Sequence, residues 1–382
     1  MIKQAIAGIR TVSGRRFPGK AFEILNRIYP NAWRTLMPPT STAGCVWMLS
    51  TPDAELERLL DAIPSETSKA ERRFLFHFFR SVWDGRGDVL EIGPFLGGTT
   101  RAIALGMWNH PAREPHARMY VYDRFDNYYD GTGLAEFVDP LFESGVLRRE
   151  DRNAILQSAN FEFIFHKVHT GYPYHDLIHS SNGPLPDAPV EETALSRIFS
   201  PPRDRVFSAV FVDGCKSWYG TRYFMEKMVT LTRPGTWFIA QDYGQYTCFW
   251  LPVFFEVFAD AFDLHAYVDA TYCFQLKREI SPEEIRERFP DEAEAWGMDR
   301  FGVVFKRLVE KACNRDDYRS RLVYNLQWAA ALAYIGRKDE ARALLDKLLS
   351  DPWTYGHADF IRQVRKNPTY RARMSGIEEV TL

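Results

Sequence analysis

The sequence predicts a doubly wound α/β fold: a mostly parallel seven-stranded sheet that ends in an antiparallel hairpin. Three observations predict it. Short apolar runs alternate with stretches of helical spacing from residue 89 to residue 262. The first run, Val89-Leu-Glu-Ile-Gly-Pro-Phe-Leu-Gly-Gly-Thr99, breaks in glycines just where a helical pattern begins. The last two runs, 264–269 and 271–278, stand too close for a parallel crossover, which needs about a dozen residues, so only a hairpin joins them.

The elements follow in order. Residues 53–63 and 68–83 have helical spacing, the second carrying Phe74, Phe76, Phe78, Phe79, Val82 and Trp83, apolar enough to pack on a sheet. Residues 89–94 read as the first strand and 99–108 as a helix whose first residue, Thr99, is suited to cap it. Residues 119–125 read as a second strand and 161–169 as a third. Five prolines make 181–205 an irregular insertion. Strands at 206–214 and 236–243 alternate with helices at 220–231 and 254–262, and the hairpin completes the sheet. Beyond 280 the chain is charged and helical, with amphipathic helices at 322–334 and 338–349 around Gly336. The predicted organisation is an extension at 1–52, an α/β domain at 53–280 and a helical region at 281–382.

Composition narrows the class. The 382 residues are 46% hydrophobic and 26% charged, as in a globular protein. A net charge of −2 gives no electrostatic argument for nucleic acid. Five scattered cysteines without a Cys-x-x-Cys pair fit a reducing, cytoplasmic setting and supply no zinc module. No apolar run approaches the roughly 20 residues of a membrane span. Residues 1–22 are basic, with Lys3, Arg10, Arg15, Arg16 and Lys20, and Ile2, Ile6, Ile9 and Val12 form an apolar stripe. A basic arm, a membrane-surface helix and a targeting segment all fit that pattern. An oligomer of this chain is left open.

Ligands of doubly wound sheets sit outside the carboxyl ends of the strands. At the first end stand Glu91, Gly93, Gly97, Gly98 and Thr99, with glycines that let a ligand lie against the backbone. The spacing Glu-x-Gly-x-x-x-Gly is neither the Gly-x-Gly-x-x-Gly of dinucleotide sites nor a phosphate loop. The second strand ends in Asp123, a carboxylate able to accept both hydroxyl protons of a ribose. The third ends near His169 and Thr170. The fourth gives Val212-Asp-Gly-Cys-Lys216 and the fifth Gln241-Asp-Tyr243. Aromatics crowd this mouth: Phe125, Tyr128, Tyr129, Trp218, Tyr219, Tyr243, Tyr246 and Trp250. His166 and His169, on opposite sides of the expected strand, and His175 and His179, on one face of an expected helix, complete no zinc set.

These segments resemble class I S-adenosylmethionine-dependent methyltransferases, in particular the group of macrocin-type sugar O-methyltransferases and cephalosporin-hydroxylase-like proteins. The resemblance spans roughly residues 70–280 and rests on the Glu-Ile-Gly turn, the Val-Asp-Gly segment and the Asp-Tyr segment. It implies a Rossmann-like methyltransferase fold and O-methylation of a small-molecule hydroxyl on a sugar-bearing or aromatic acceptor. It implies S-adenosylmethionine held by Glu91, Gly93, Gly97, Gly98, Thr99 and Asp123, with Asp213 and Asp242 as ligands of a magnesium ion. Two positions depart from the family. Lys216 stands where a histidine is common, and Gln241 replaces the first acid of an acidic pair. Lys216 and Asp213 are the expected catalytic residues. Three roles stay open for Lys216: a base, a cation for an anionic substrate group, or a partner of Asp213 and Asp242 that fills the metal's space. The departures also fit a binding protein on a methyltransferase scaffold that no longer catalyses. Residues 331–345 resemble one tetratricopeptide hairpin, which fits an adaptor working through its C-terminal helices, or a helical cap on the main domain.

Overall fold

The computed structural model describes residues 54–126, 128–189, 198–373 and 376–382. The extension at 1–52, with its basic segment, and residues 190–197 of the insertion lie outside the described residues.

Helices α1 (Ala54–Asp61) and α2 (Lys69–Ser81) precede the sheet. Ser68 and Glu71 form a reciprocal capping box at the start of α2, so two amides that the helix leaves open are satisfied. The core alternation is β1 (Asp88–Ile92), α3 (Gly98–Trp108), β2 (Met119–Asp123), then helices α4 (Gly131–Phe137), α5 (Asp139–Glu143), α6 (Arg149–Ser158) and α7 (Glu162–His169). It continues with β3 (Ile178–Asn182), β4 (Phe207–Val212), α8 (Trp218–Met228), β5 (Trp237–Ala240), α9 (Trp250–Val257), β6 (Phe262–Val268) and β7 (Thr271–Leu276).

The sheet order is β3-β2-β1-β4-β5-β7-β6. The first five strands pair in parallel and β7 runs antiparallel between β5 and β6. This is the predicted Rossmann-like sheet with its closing hairpin. The order reverses between β1 and β4, the crevice where such sheets bind ligands. Each strand serves two cores because successive side chains alternate. Val89, Val121 and Phe211 pack with Phe74, Phe78, Ile103 and Met107 of α2 and α3. Leu90, Tyr122, Val212 and Phe238 pack on the other face with Trp218, Phe224, Trp250 and Phe254 of α8 and α9.

That second core runs on into the C-terminal region. Helices α10 (Pro282–Arg288), α11 (Ala293–Trp296), α12 (Met298–Cys313) and α13 (Tyr318–Tyr334), with the α10 C-cap Phe289, supply Ile285, Phe289, Trp296, Phe301, Phe305 and Tyr324 to it. Helices α13 and α14 (Lys338–Ser350) form a hairpin around Gly336, whose φ of 81° suits glycine. Helix α15 (Ala358–Val364) and a ribbon of β8 (Thr369–Arg373) and β9 (Gly376–Val380) end the chain; the ribbon is not among the elements expected from the sequence.

The structure corrects several expectations. Residues 161–169 are not the third strand. Phe161, Ile164, Phe165 and Val168 make one buried stripe at helical spacing, and that stripe prevails over the local alternation. The third strand is the polar Ile-His-Ser-Ser-Asn run of β3, which carries no apolar signal because it is the sheet's edge. Hence His166 and His169 share a helix, while His175 lies in a 3₁₀ turn and His179 in β3, so those two share no helix face. The insertion begins after Asn182, not at 181. The helix expected at 254–262 starts earlier, at Trp250, and Phe262 opens β6.

Candidate active site at the carboxyl edge of the sheet

The glycine turn after β1 is built from the inside. Gly93 has φ +84°, and a Cβ there would lie 2.7 Å from the Gly214 amide nitrogen, so the ends of β1 and β4 touch at this point. A Cβ on Gly97, φ +90°, would lie 2.2 Å from Nε2 of His169, and one on Gly98 would lie 2.7 Å from Cβ of Ser65. Glu91 is fully buried below the turn and accepts from Oγ1 of Thr99 and of Thr100, each at 2.5 Å. The Thr99 hydroxyl therefore does not cap α3, as the sequence suggested; Gly97 is the N-cap, with no side-chain cap. Burial pushes the Glu91 carboxyl up to about 8 against those two hydrogen bonds, and the nearby Asp213 and Asp123 add to the rise.

Asp123 closes the turn from the side. Its Oδ2 accepts from the Phe95 amide at 3.0 Å and its Oδ1 from the Phe125 amide at 2.9 Å. Burial raises its pKa to about 6, although the amides oppose this. Phe95, Phe125 and Asp242 take φ values of 52°, 58° and 63°. Non-glycine residues in that region cost of order 1–3 kcal/mol each. These three follow β1, β2 and β5, so strain collects along one edge of the sheet.

Across the crevice, β4 and β5 deliver a charge cluster. Asp213 follows β4, Asp242 follows β5, and Lys216 precedes α8, whose N-cap Ser217 accepts from the Gly220 amide at 2.9 Å. The Lys216 Nζ donates to Oδ1 of Asp213 at 2.8 Å and to Oδ2 of Asp242 at 2.5 Å. Its side chain keeps 32% exposure, so it is reachable from the crevice. Burial alone would lower the Lys216 pKa, but Asp213 and Asp242, with the Tyr128 and Tyr370 phenols, outweigh it and hold the ammonium well above its ordinary value. Burial pushes Asp213 upward, Lys216 opposes this, and the second carboxylate adds to it. Two carboxylates thus share one cation. Lys216 is held as a cation between them.

Residues far apart in sequence complete the wall. The Tyr128 and Tyr129 hydroxyls both donate to Glu66, from the loop between α1 and α2. Tyr370 of β8 comes within 3.4 Å of Cys248 Sγ. His169, 1% exposed, meets the Tyr174 hydroxyl through Nδ1 at 3.2 Å, while its Nε2 has no partner. Burial and the Arg101 charge hold its pKa well below the ordinary value, so the ring is neutral. Sequence reasoning missed Glu66, Tyr370 and Cys248, because no local pattern marks residues that act only by long-range contact.

Of the expected site residues, the fold gathers Gly93, Asp123, Asp213, Lys216 and Asp242 at the carboxyl edge. Glu91, Gly97, Gly98 and Thr99 face protein neighbours. Of the aromatics expected at the mouth, Phe125, Trp218, Tyr243 and Trp250 are core residues, and Trp218 stacks on Phe289 at 3.8 Å. Tyr128, at 45% exposure, does face solvent. The 560 Å³ cleft lined by Phe199, Tyr223, Lys227 and Arg286 reaches Thr230 and Leu231, where the chain turns toward the start of β5, so it lies away from this edge.

The donor set at Asp213 and Asp242 does not fit a magnesium ion. An ammonium already bridges the two carboxylates, and Gln241 offers a neutral amide oxygen where the family pattern has an acid. Among the described residues no group of three His, Cys, Asp or Glu could hold a metal ion. A ligand with hydroxyl groups does fit the turn. Beyond its backbone hydrogen bonds from Phe95, Phe125 and Arg124 the Asp123 carboxylate keeps acceptor capacity, and the orphaned Nε2 of His169 is a buried polar atom in want of a partner.

No protein-family model and no curated protein matches the sequence. Among solved structures, the chain is similar to the O-methyltransferase NovP at 15% identity, over 68% of this chain and 100% of that one, with a TM-score of 0.39. It is similar to CalS11, a TDP-rhamnose 3'-O-methyltransferase, at 11% identity over 61% and 91%, with a TM-score of 0.38. It is also similar to an O-methyltransferase from Bacillus cereus in complex with SAH, at 15% identity over 62% and 96%, with a TM-score of 0.32. At scores this low, sheet order and pairing alone define the fold.

Proposed function

We propose that this chain is a class I S-adenosylmethionine-dependent methyltransferase that methylates a hydroxyl of a sugar-bearing or aromatic small molecule. The observation that carries this reading is the facing of two clusters across the β1/β4 switch point: the Gly93 turn closed by Asp123, and the Asp213–Lys216–Asp242 cluster. Residues 53–280 would form the catalytic domain, 281–382 a helical region with one tetratricopeptide-like hairpin, and 1–52 an extension. Cys215, Cys248 and Cys313 are free thiols, which supports a reducing, cytoplasmic setting.

The bound cofactor supplies an electrophilic methyl group on a sulfonium. The residues of this chain do the rest. Asp123 accepts from ribose hydroxyls and Gly93 offers the backbone surface on which the cofactor rests, while Gly97, Gly98 and Thr99 set the shape of the turn through their contacts with His169, Ser65 and Glu91. Glu91 contributes from below by fixing Thr99 and Thr100. The Lys216 ammonium holds and polarises the acceptor oxygen, and Asp213, its affinity for protons raised by burial, receives the hydroxyl proton as the oxygen is methylated. Tyr128 and Tyr370 border the acceptor. No step passes through a divalent ion.

Calorimetric titration with S-adenosylhomocysteine and S-adenosylmethionine tests the cofactor. Micromolar binding, weakened at least tenfold in Asp123→Ala, is the expected outcome. No binding of either compound to the folded wild-type protein would sink the proposal. Cofactor binding without methyl transfer to any acceptor in a broad screen would favour the binding-protein reading.

A further inference from the structure

We propose that the Lys216 ammonium is the resident cation of this site and replaces a divalent metal as the group that holds the acceptor oxygen. The part concerning the acceptor rests on the proposed methyl transfer; the exclusion of metal does not.

Asp213 and Asp242 come from adjacent strand ends and converge while only 16% and 15% exposed. Two carboxylates so placed repel one another unless a cation stands between them. Lys216 is that cation, 2.8 Å from one and 2.5 Å from the other. Its length and position decide this: it sits on the turn leaving β4, three residues after Asp213, and spans to the end of β5. A divalent ion would have to displace both ion pairs. It would then find two carboxylates and amide oxygens, a weak set for a hard cation that takes about six oxygen ligands. An ammonium carries three donors. Two are spent on the carboxylates, which leaves one for an incoming oxygen, and the 32% exposure of the side chain lets that oxygen approach. The neighbouring Gln241 Oε1, buried without a partner, is a second polar atom at this end of β5 that an acceptor could satisfy.

The probe is Mn²⁺ alone, followed by electron paramagnetic resonance and calorimetry on the full chain. Wild type is expected to bind no Mn²⁺ at this site at submillimolar concentration, and Lys216→Arg to behave the same. Lys216→Ala leaves two carboxylates facing a gap, so its Mn²⁺ affinity should rise at least tenfold and be lost again in Lys216→Ala/Asp242→Asn. Wild-type binding that disappears in Asp213→Asn would overturn the proposal, as would a folded Lys216→Ala protein that gains no affinity. The wild-type arm decides the matter even if Lys216→Ala fails to fold. Cofactor calorimetry reads the methyltransferase proposal separately: failure there leaves the cation assignment standing, and Mn²⁺ binding here leaves cofactor binding standing.

Discussion

At the residue scale, the acidic residue of the glycine turn is a structural element under electrostatic load. Glu91 has its ordinary pKa of 4.5 raised to about 8. The folded protein therefore keeps this proton to higher pH than the unfolded chain does. The group costs nothing below about 4.5, its ionisation penalty grows as pH rises to about 8, and the penalty is constant above that. At roughly 1.4 kcal/mol per pKa unit the full penalty is of order 3–5 kcal/mol. Glu91→Gln is expected to lose about 1 kcal/mol at pH 5 through poorer acceptance from Thr99 and Thr100, yet to equal or exceed wild type at pH 8. Chemical denaturation across that range checks it, and a parallel pH dependence in both proteins would refute the assignment. The glycines taught a similar lesson. Gly97 and Gly98 read in the sequence as room for a ligand, whereas His169 and Ser65 already occupy that room. Spacing reveals that a backbone is approached closely but not by what.

At the element scale, the loop after β5 is held by a helix eighty residues downstream. Gln327 of α13 is fully buried, and its Nε2 donates to the Tyr243 carbonyl at 2.7 Å and the Gln245 carbonyl at 2.8 Å. These bonds steady the segment that carries Asp242, whose left-handed backbone needs support from outside. Gln327→Met leaves two buried carbonyls unsatisfied and is expected to cost about 2–4 kcal/mol, seen as a lower urea midpoint at an unchanged m value. The β6–β7 hairpin shows the same logic. Glu71 of α2 accepts from the Ala270 amide at 3.1 Å and from Thr271 Oγ1 at 3.0 Å, so the helix before the sheet anchors the turn that ends it. The α7 segment reads as a strand locally because aromatic and β-branched residues favour strands; only the chance to bury four of them together, beside Phe95 and Phe125, makes the helix the lower free-energy choice.

At the scale of the molecule, the helical C-terminal region is part of the core and not an appendage. Phe301, Phe305 and Tyr324 share a core with Trp218, Phe254 and Phe274, and the Tyr272 hydroxyl meets Ser320 Oγ at 2.6 Å. An adaptor tail could be removed without harm. Here, ending the chain at residue 314 strips α13 from Tyr243 and Tyr272 and removes Tyr370 from the site. At about 1.5–3 kcal/mol per large apolar side chain exposed, the loss exceeds the stability of an ordinary domain. The truncated chain is therefore expected to lose cooperative thermal unfolding and near-ultraviolet circular dichroism. A sharp, wild-type-like transition would show that the sheet folds without its helices.

By itself the sequence determined the α/β alternation, the closing hairpin, the glycine turn and the carboxylates at the strand ends. Each of these is written in local periodicity or in short spacings, which operate within a few residues along the chain. Tertiary structure alone decided that 178–182 and not 161–169 pairs with β2, that four of the aromatics expected at the mouth are core, and that Glu66 and Tyr370 reach the site. It also brought Lys216 between Asp213 and Asp242. The residue types permitted a base, a substrate-binding cation or an internal ion pair, and only the convergence of two strand ends on one ammonium reveals the pairing. Charge pairing depends on distance in space, which the order of residues along the chain does not encode.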